Sequence, residues 1–373
     1  MSGSAFDFTS SDAQGTAVEP LEIGKFDREK YADYCASLDE RCAFFWPASE
    51  GVLVCRRFRV PLVFAGLCRD MEMSLKLQLG ALHQSMDYPM DIPNFLEPWY
   101  GIGAGPSAYG AEYVWNGDLA PATLPVFSSI EEALKHEPGE IEETPAGRHI
   151  LEMIEYFLEK TGGKIPLSLS DVQSPLDTAA ALFDTADFYM AIADEPENVE
   201  TLLERIAGLT VRFCKKQAAL IGSRLVYPGH GFSSSRQFSC MGFSDDNSIM
   251  LSPEIHRDIC ASSMIRFGRA FGGFAFHSCG NWSMRTGMIR NLEGLRMVDG
   301  AFTGGTDPSP NPAQPFVDAF AGTGITVNAR MVGSPGEVIE KTGELKKPGV
   351  KLIAVTYCAS AEEQKIVYNT IHS

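Results

Sequence analysis

Apolar strands alternate with amphipathic helices along most of this chain of 373 residues. Two helix starts carry a serine followed three residues later by a glutamate, Ser334…Glu337 and Ser360…Glu363, which is the pattern of a capping box. Alternation of this kind predicts a parallel sheet, because each helix returns the chain to the edge where the next strand begins. With about eight such strands, a closed α/β barrel is the leading prediction and an open doubly wound sheet is the alternative.

The alternation contains no linker between residues 26 and 373, which predicts a single domain. Residues 1–25 are rich in Ser, Thr, Gly, Asp and Glu, and we expect them to form a flexible N-terminal tail. The segment Val60–Ala65 predicts a short strand. The segment Gly103-Ala-Gly-Pro-Ser-Ala108 is close to a dinucleotide-binding loop, but Pro106 lies inside it and no clear strand precedes it, so we interpret it as a plain loop.

The composition excludes several classes of partner. The 31 basic and 48 acidic residues give a net charge of −17, which argues against binding to nucleic acid or to an anionic membrane. The nine cysteines have no framework spacing, so reduced thiols in a cytoplasm are the expectation. The first 24 residues lack an apolar core of a signal peptide, and no run of 18 apolar residues predicts a membrane span. We therefore expect a soluble cytoplasmic protein.

One predicted strand ends in a pair of metal-binding residue types. Gly273-Phe-Ala-Phe276 is apolar on both faces, as inner strands are, and His277 and Cys279 follow it. Side chains two residues apart leave a strand on the same side, so this imidazole and thiol can share a metal. The last apolar strand is followed by Cys358, which would reach the same carboxyl edge of a parallel sheet. Taken alone, the His-x-Cys pair is also compatible with a core histidine beside a buried cysteine.

Other polar residues follow predicted strands and are candidates for function, although the same residue types also cap the helix that comes next. The candidates are, for catalysis, Asp171 and Asp246 and, for substrate binding, Gln173, His230, Asp245 and Trp282. Asp246 is also a candidate fourth metal ligand. The alternatives are a loop position without chemistry for His230 and a packing role for Trp282.

Several motifs together resemble the uroporphyrinogen decarboxylase superfamily. They are Ser244-Asp-Asp-Asn-Ser248, Leu251-Ser-Pro-Glu254, His277-Ser-Cys-Gly-Asn281 and the cysteine that ends the final strand. Within the superfamily the pattern is similar to the methylcobalamin:thiol methyltransferases of the coenzyme M type, and it is clearest over residues 163–373. The resemblance implies an α/β fold, a (β/α)8 TIM barrel with extra N-terminal helices.

The same resemblance implies a zinc site and a reaction. His277, Cys279 and Cys358 would hold zinc, and thiolate and imidazole ligands favour zinc over magnesium or calcium. Three protein ligands leave a position for a small thiol such as coenzyme M or homocysteine. This thiol would exchange a methyl group with a corrinoid, and Trp282 would flank the corrin ring. The Asp-x-His-x-x-Gly signature of proteins that bind a corrinoid themselves is absent, because no histidine has an aspartate two residues before it. We therefore expect the corrinoid to come from a separate corrinoid protein or as free methylcobalamin.

Three alternatives remain open at this point. A methyl donor:corrinoid methyltransferase would use a methoxy, methylamine or thioether substrate. A decarboxylase-like lyase is disfavoured, because the Arg-Gln-Ala-Gly-Arg type segment of the decarboxylases is replaced by Arg56-Arg57 and Cys68-Arg-Asp70. A third possibility is a non-catalytic partner that binds a corrinoid and is stabilised by zinc.

Overall fold

The computed structural model describes residues 10–373 and contains a six-stranded parallel sheet with two short antiparallel pairs. The strands of this part of the chain are β1 (Ser10–Ser11), β2 (Ala17–Val18), β3 (Gly51–Arg56), β4 (Tyr113–Val114), β5 (Ala122–Thr123), β6 (Met241–Ser244), β7 (Phe274–His277), β8 (Leu295–Ala301), β9 (Thr326–Met331) and β10 (Lys351–Thr356). The order in the parallel sheet is β3-β10-β9-β8-β7-β6.

Helices connect and cover these strands. They are α1 (Arg28–Cys42), α2 (Met71–Ser85), α3 (Ala104–Ser107), α4 (Ile130–Lys135), α5 (Pro145–Thr161), α6 (Pro175–Ala180), α7 (Thr185–Asp194), α8 (Pro196–Ile221), α9 (Pro253–Phe271), α10 (Thr286–Ile289), α11 (Ala313–Phe320), α12 (Pro335–Leu345) and α13 (Ala361–His372). The predicted caps are confirmed, because the hydroxyls of Ser334 and Ser360 accept hydrogen bonds from the backbone N–H groups of Glu337 and Glu363. No helix within the described residues is long and apolar enough to cross a membrane.

Two irregular segments, residues 91–97 and 165–173, occupy the gap between β3 and β6. The first bonds to β3 through the backbone N–H of Asp91, at 2.8 Å from the carbonyl oxygen of its partner. The second forms isolated parallel bridges to both of its neighbours, at Leu167 and at Gln173. The six strands and these two segments complete a closed barrel of eight positions, so the predicted (β/α)8 fold is confirmed.

Side chains of the barrel strands alternate between the barrel interior and the helix layer, as the period of a strand requires. In β10 and the residue after it, Ile353, Val355 and Tyr357 belong to the interior cluster. Leu352 and Ala354 belong to the larger cluster that packs under the helices. Both sets are apolar, so the strand is buried on both faces.

The N-terminal segment is ordered where the structure describes it. Residues 10–18 form a hairpin in which Val18 is fully buried and Asp12 pairs with Arg56 at 2.6 Å, with neither side chain exposed. The prediction of a flexible tail is therefore wrong for residues 10–25, and residues 1–9 lie outside the described residues. The composition of the tail did not reveal this buried ion pair, whose partners lie far apart in sequence.

Two local predictions also need correction. Val60–Ala65 was predicted as a strand, but Pro61–Phe64 form a 3-10 turn, because a proline has no N–H for a sheet. The strand of this region is β3, a few residues earlier. The glycine-rich segment 103–108 was interpreted as a plain loop, but it contains the short helix α3, so that interpretation is wrong. No strand of the sheet directly precedes the segment, which agrees with the rejection of a dinucleotide-binding loop.

Two phenylalanines allow a matched test of this core. Phe157 of α5 is fully buried, and we expect Phe157→Ala to lower the free energy of unfolding by about 3–5 kcal/mol, because it removes a ring and leaves a cavity. Phe44 is 66% exposed, and Phe44→Ala should change the free energy of unfolding by about 0.5 kcal/mol or less. Urea unfolding at equilibrium measures both, and equal losses would contradict this core.

Candidate metal centre at the mouth of the barrel

Three ligand-type side chains converge at the carboxyl ends of β6 and β7. Within residues 10–373, one group of His, Cys, Asp and Glu has its ligand atoms all within 4.8 Å of one another, and it consists of Asp246, His277 and Cys279. The Nε2 atom of His277 lies 3.5 Å from the Cys279 sulfur and 3.6 Å from a carboxylate oxygen of Asp246. The predicted pairing of His277 with Cys279 is thus present, and the suggested approach of Asp246 is present as well.

The strand and the turn that follows it explain this geometry. His277 is the last residue of β7 and shares the inward face with Ala275, a member of the interior cluster. Gly280 has a φ of +71°, a left-handed conformation that favours glycine and turns the chain directly after Cys279. Of the nine cysteines, Cys279 is the exposed one and the other eight are buried.

His277 is oriented by a buried carboxylate at the same depth in the barrel. Its Nδ1 donates to Asp299 at 2.6 Å, which leaves Nε2 directed toward Cys279 and Asp246. Asp299 is fully buried and also accepts hydrogen bonds from Arg330 and Asn328 of β9. A carboxylate behind a histidine ligand is a recurrent arrangement in metal sites, where it fixes the ring orientation.

The charges in this network alter the pKa values of its members. Burial alone would lower the pKa of His277, but its hydrogen bonds to Asp299 and Cys279 raise that pKa to about 10 in the metal-free protein. Burial acts to raise the pKa of Asp299, and the charge of Arg330 outweighs it, so the pKa of Asp299 is lowered. A metal at Nε2 would have to displace the proton of His277, so proton release should accompany binding.

A second buried cluster holds Asp246 in place. The carboxylate of Asp177 accepts the backbone N–H groups of Asp246 and Asn247, at 2.7 and 2.8 Å. Burial and the neighbouring charges of Asp245 and Asp246 raise the pKa of Asp177. The carboxylate of Asp246 in turn accepts the backbone N–H of Cys279 at 2.6 Å, which ties the two loops together.

The predicted ligand Cys358 does not join this group, so the structure does not bring the three predicted ligands together. Cys358 is buried in the cluster under the helices, on the opposite face of its strand from Tyr357. Burial raises the pKa of the Cys358 thiol to about 11. The alternation of β10 thus directs Tyr357, and not Cys358, into the barrel interior.

The three residues of the candidate metal centre line a cavity of about 390 Å³, and a second charged network lies at the same cavity. There, His230 lies 2.6 Å from Glu97 through Nδ1 and 3.4 Å from Asp171 through Nε2. Glu97 also pairs with Arg57, and although burial opposes it, this charge lowers the pKa of Glu97 to about 2. Gln173 lines the same cavity and donates to Asp171 at 3.1 Å.

Asp171, Gln173, His230 and Asp246 therefore face the cavity as expected, while their roles stay predictions. Asp245 does not face it: this residue is fully buried and bonds to Ser174 and His256. Trp282 is also fully buried, packing on Phe276 and Phe316. Neither side chain reaches solvent or the cavity, so the structure does not place Asp245 and Trp282 where their predicted substrate-binding roles require.

Several residues of the site were not anticipated. Asp299 and Arg330 are charged residues within otherwise apolar strands, a pattern that could have marked them as partners across the barrel. Two further residues, Glu97 and Arg59, lie in segments without a clear periodicity. A third, Tyr357, follows a strand that is apolar on both faces. For them the sequence gives no comparable signal.

The donor set fits zinc. One sulfur, one imidazole nitrogen and one carboxylate oxygen are all accepted zinc ligands. In a tetrahedral site with standard bond lengths, the nitrogen and sulfur ligands would lie about 3.5 Å apart. The His277–Cys279 distance of 3.5 Å matches this spacing without any rearrangement.

Comparisons with known proteins agree with the fold and the superfamily. The family model "Uroporphyrinogen decarboxylase (URO-D)" matches residues 57–235, which confirms the resemblance to this superfamily, although the matched range ends before the motifs at 244–281. A structure described as a methyltransferase from Methanosarcina mazei has a TM-score of 0.58 and 14% identity, and the match covers 99% of this chain and 95% of the other. At this identity the likeness concerns the fold. Comparison with curated proteins gives no match.

Two cysteine substitutions separate the candidate ligand set that the structure brings together from the set that the sequence predicts. We expect Cys279→Ala to weaken zinc binding at least about tenfold, because it removes the sulfur ligand. Cys358→Ala should leave zinc affinity unchanged and lower stability by about 1 kcal/mol through lost packing. Competition with a chromophoric chelator measures the affinity, and equal loss of zinc in the two variants would restore Cys358 as a ligand.

Proposed function

We propose that this relative of the uroporphyrinogen decarboxylase family is a zinc-dependent methyltransferase that moves a methyl group between a corrinoid and a small thiol. The observation that carries the proposal is the convergence of Asp246, His277 and Cys279 within 4.8 Å at the mouth of a barrel. A cavity of about 390 Å³ adjoins these residues and has room for a small thiol.

The roles of the chain's own residues follow from their contacts. Asp246, His277 and Cys279 would hold zinc, with Asp299 and Arg330 fixing the orientation of the histidine ring. When bound, zinc would lower the pKa of a thiol placed in the remaining ligand position. Cys358 takes no part in this version of the site.

The thiol must lose a proton as it becomes a nucleophile. Asp171 is the proposed acceptor, because its carboxylate faces the cavity and lies 3.4 Å from Nε2 of His230. Together these two groups can share the proton and pass it to solvent. Gln173, which donates to Asp171, would hold that carboxylate in place.

In the forward direction the thiol sulfur bonds to the methyl carbon, and the carbon–cobalt bond breaks with its electron pair remaining on cobalt. The corrinoid is a co-substrate in this proposal, supplied as free methylcobalamin or by a separate corrinoid protein. The exposed position of Cys279 supports an approach of this co-substrate from the rim of the barrel. The acidic net charge of −17 would favour a partner with a basic docking face.

The test follows the absorbance of methylcobalamin mixed with zinc-loaded protein and a thiol. We expect His277→Ala and Cys279→Ala to abolish methyl transfer, and Asp299→Asn to lower it about 10- to 100-fold by releasing the orientation of His277. Cys358→Ala serves as the matched control and should retain wild-type activity.

The same assay examines the reverse direction, with cobalt(I) cobalamin and methoxy, methylamine or thioether donors. Transfer in that direction alone would replace the proposed reaction by the methyl donor:corrinoid one. Full activity of protein that has been stripped of zinc would contradict the role of the metal centre.

A further inference from the structure

A second cavity, here called the amino-end cavity, lies where the strands of the barrel begin. It has a volume of about 370 Å³, and its lining includes Lys351, the first residue of β10, and Leu295, the first residue of β8. Tyr357, which follows the same strand as Lys351, lines the cavity at the mouth instead. Six residue steps of extended chain separate these two positions by about 20 Å. The amino-end cavity is therefore distinct from the candidate metal centre.

Two basic side chains line the amino-end cavity without a counter-ion. Lys351 is 3% exposed, and its ammonium donates to the carbonyl oxygen of Trp46 at 2.8 Å. The guanidinium of Arg296 donates to the carbonyl oxygen of Ser239 at 2.9 Å and lies 5.0 Å from the ring centre of Phe238. Within residues 10–373 neither side chain pairs with a carboxylate, and none of the residues lining the cavity is acidic.

The acidic residue next to this lining in sequence is engaged elsewhere. Glu50 follows the lining residue Ser49, and its carboxylate accepts the backbone N–H of Gly349 at 2.6 Å. Burial lowers the pKa of Lys351 to about 8, and the positive charge of Arg296 acts in the same direction. A chain with a net charge of −17 thus keeps two uncompensated cations at one cavity.

This arrangement has a clear chemical preference. A buried ammonium without a counter-charge is costly, and an anion that enters the cavity would offset that cost. Lys351 uses one of its three N–H donors on Trp46, and the guanidinium of Arg296 has five donors in a plane. A phosphate group has enough oxygens to accept from both side chains at once. The rings of Trp46 and Phe238, with centres 5.2 Å apart, add an apolar wall beside these donors.

We propose that the amino-end cavity binds a phosphate group, with Lys351 and Arg296 as its cationic contacts. The group is inorganic phosphate or the phosphate of a small monoester whose apolar part rests on Trp46 and Phe238. This site goes beyond the proposed function, because it requires neither zinc nor a corrinoid and lies at the other end of the barrel. A phosphate that binds the folded chain alone would also stabilise it.

Calorimetric titration of the full chain with inorganic phosphate tests the site. We expect a Kd of about 1 mM or tighter, and Lys351→Met should weaken binding about 10- to 100-fold by removing a charge-assisted contact. Lys347→Met is the matched control, because Lys347 is exposed and also donates to a backbone carbonyl oxygen, that of Gly343. Absence of binding by the wild type, or binding that Lys351→Met leaves intact, would overturn the proposal.

A second variant keeps the test decisive if Lys351→Met fails to fold. Arg296 is exposed, so the fold should tolerate Arg296→Gln, and circular dichroism checks that it does. We expect this variant to weaken phosphate binding about tenfold. Wild-type affinity in Arg296→Gln would overturn the assignment of the two cations to one site.

Phenyl phosphate, used as a second probe, distinguishes the two sources of the phosphate group. Binding at least about tenfold tighter than that of inorganic phosphate supports a monoester whose ring contacts Trp46 and Phe238. Equal or weaker binding supports the free ion. In both cases Lys351→Met should reduce the affinity, and its failure to do so for either probe would overturn the site.

Discussion

The buried carboxylate of Asp299 is the interaction on which the candidate site depends. An ionised carboxylate inside a barrel is costly to bury unless its oxygens are fully bonded, and here Arg330, Asn328 and His277 supply the donors. The same bonds that stabilise the charge fix the ring of His277 and direct its second nitrogen toward Cys279. The hydrogen bonds that allow Asp299 to be buried as a charged group are therefore the same ones that orient His277 as a candidate ligand.

The sequence was sufficient for the architecture and for part of the site. The alternation of strands and helices and the capping serines depend on local patterns, and the structure confirms them. The convergence of His277 and Cys279 also follows from local geometry, because two residues at the end of one strand keep a fixed relation. The hairpin at residues 10–18 escaped prediction because its main anchor, the pair of Asp12 with Arg56, joins distant parts of the chain.

The unexpected position of Cys358 has a different origin. A strand that is apolar on both faces gives no sign of which of its residues point into the barrel. The sequence therefore predicts that Cys358 lies at the carboxyl end of the barrel, but not whether its side chain points inward or toward the helices. A shift of one residue exchanges Tyr357 for Cys358 at the cavity. The sequence was equally unable to predict the orientation of Asp246, yet this residue does lie beside His277. It is held there because Asp177, which the sequence analysis did not single out, accepts the backbone N–H of Asp246.

The barrel is not equally stiff around its circumference. β6 to β10 and β3 share continuous ladders, whereas the segments 91–97 and 165–173 are joined to their neighbours by isolated bridges. Local opening costs less where backbone bonds are few. His277 is the last residue of a strand in the continuous ladder, whereas Glu97, Asp171 and Gln173 lie on the two segments with isolated bridges. Such an asymmetry would let the weakly bonded wall of the cavity adjust its shape while His277 keeps its position.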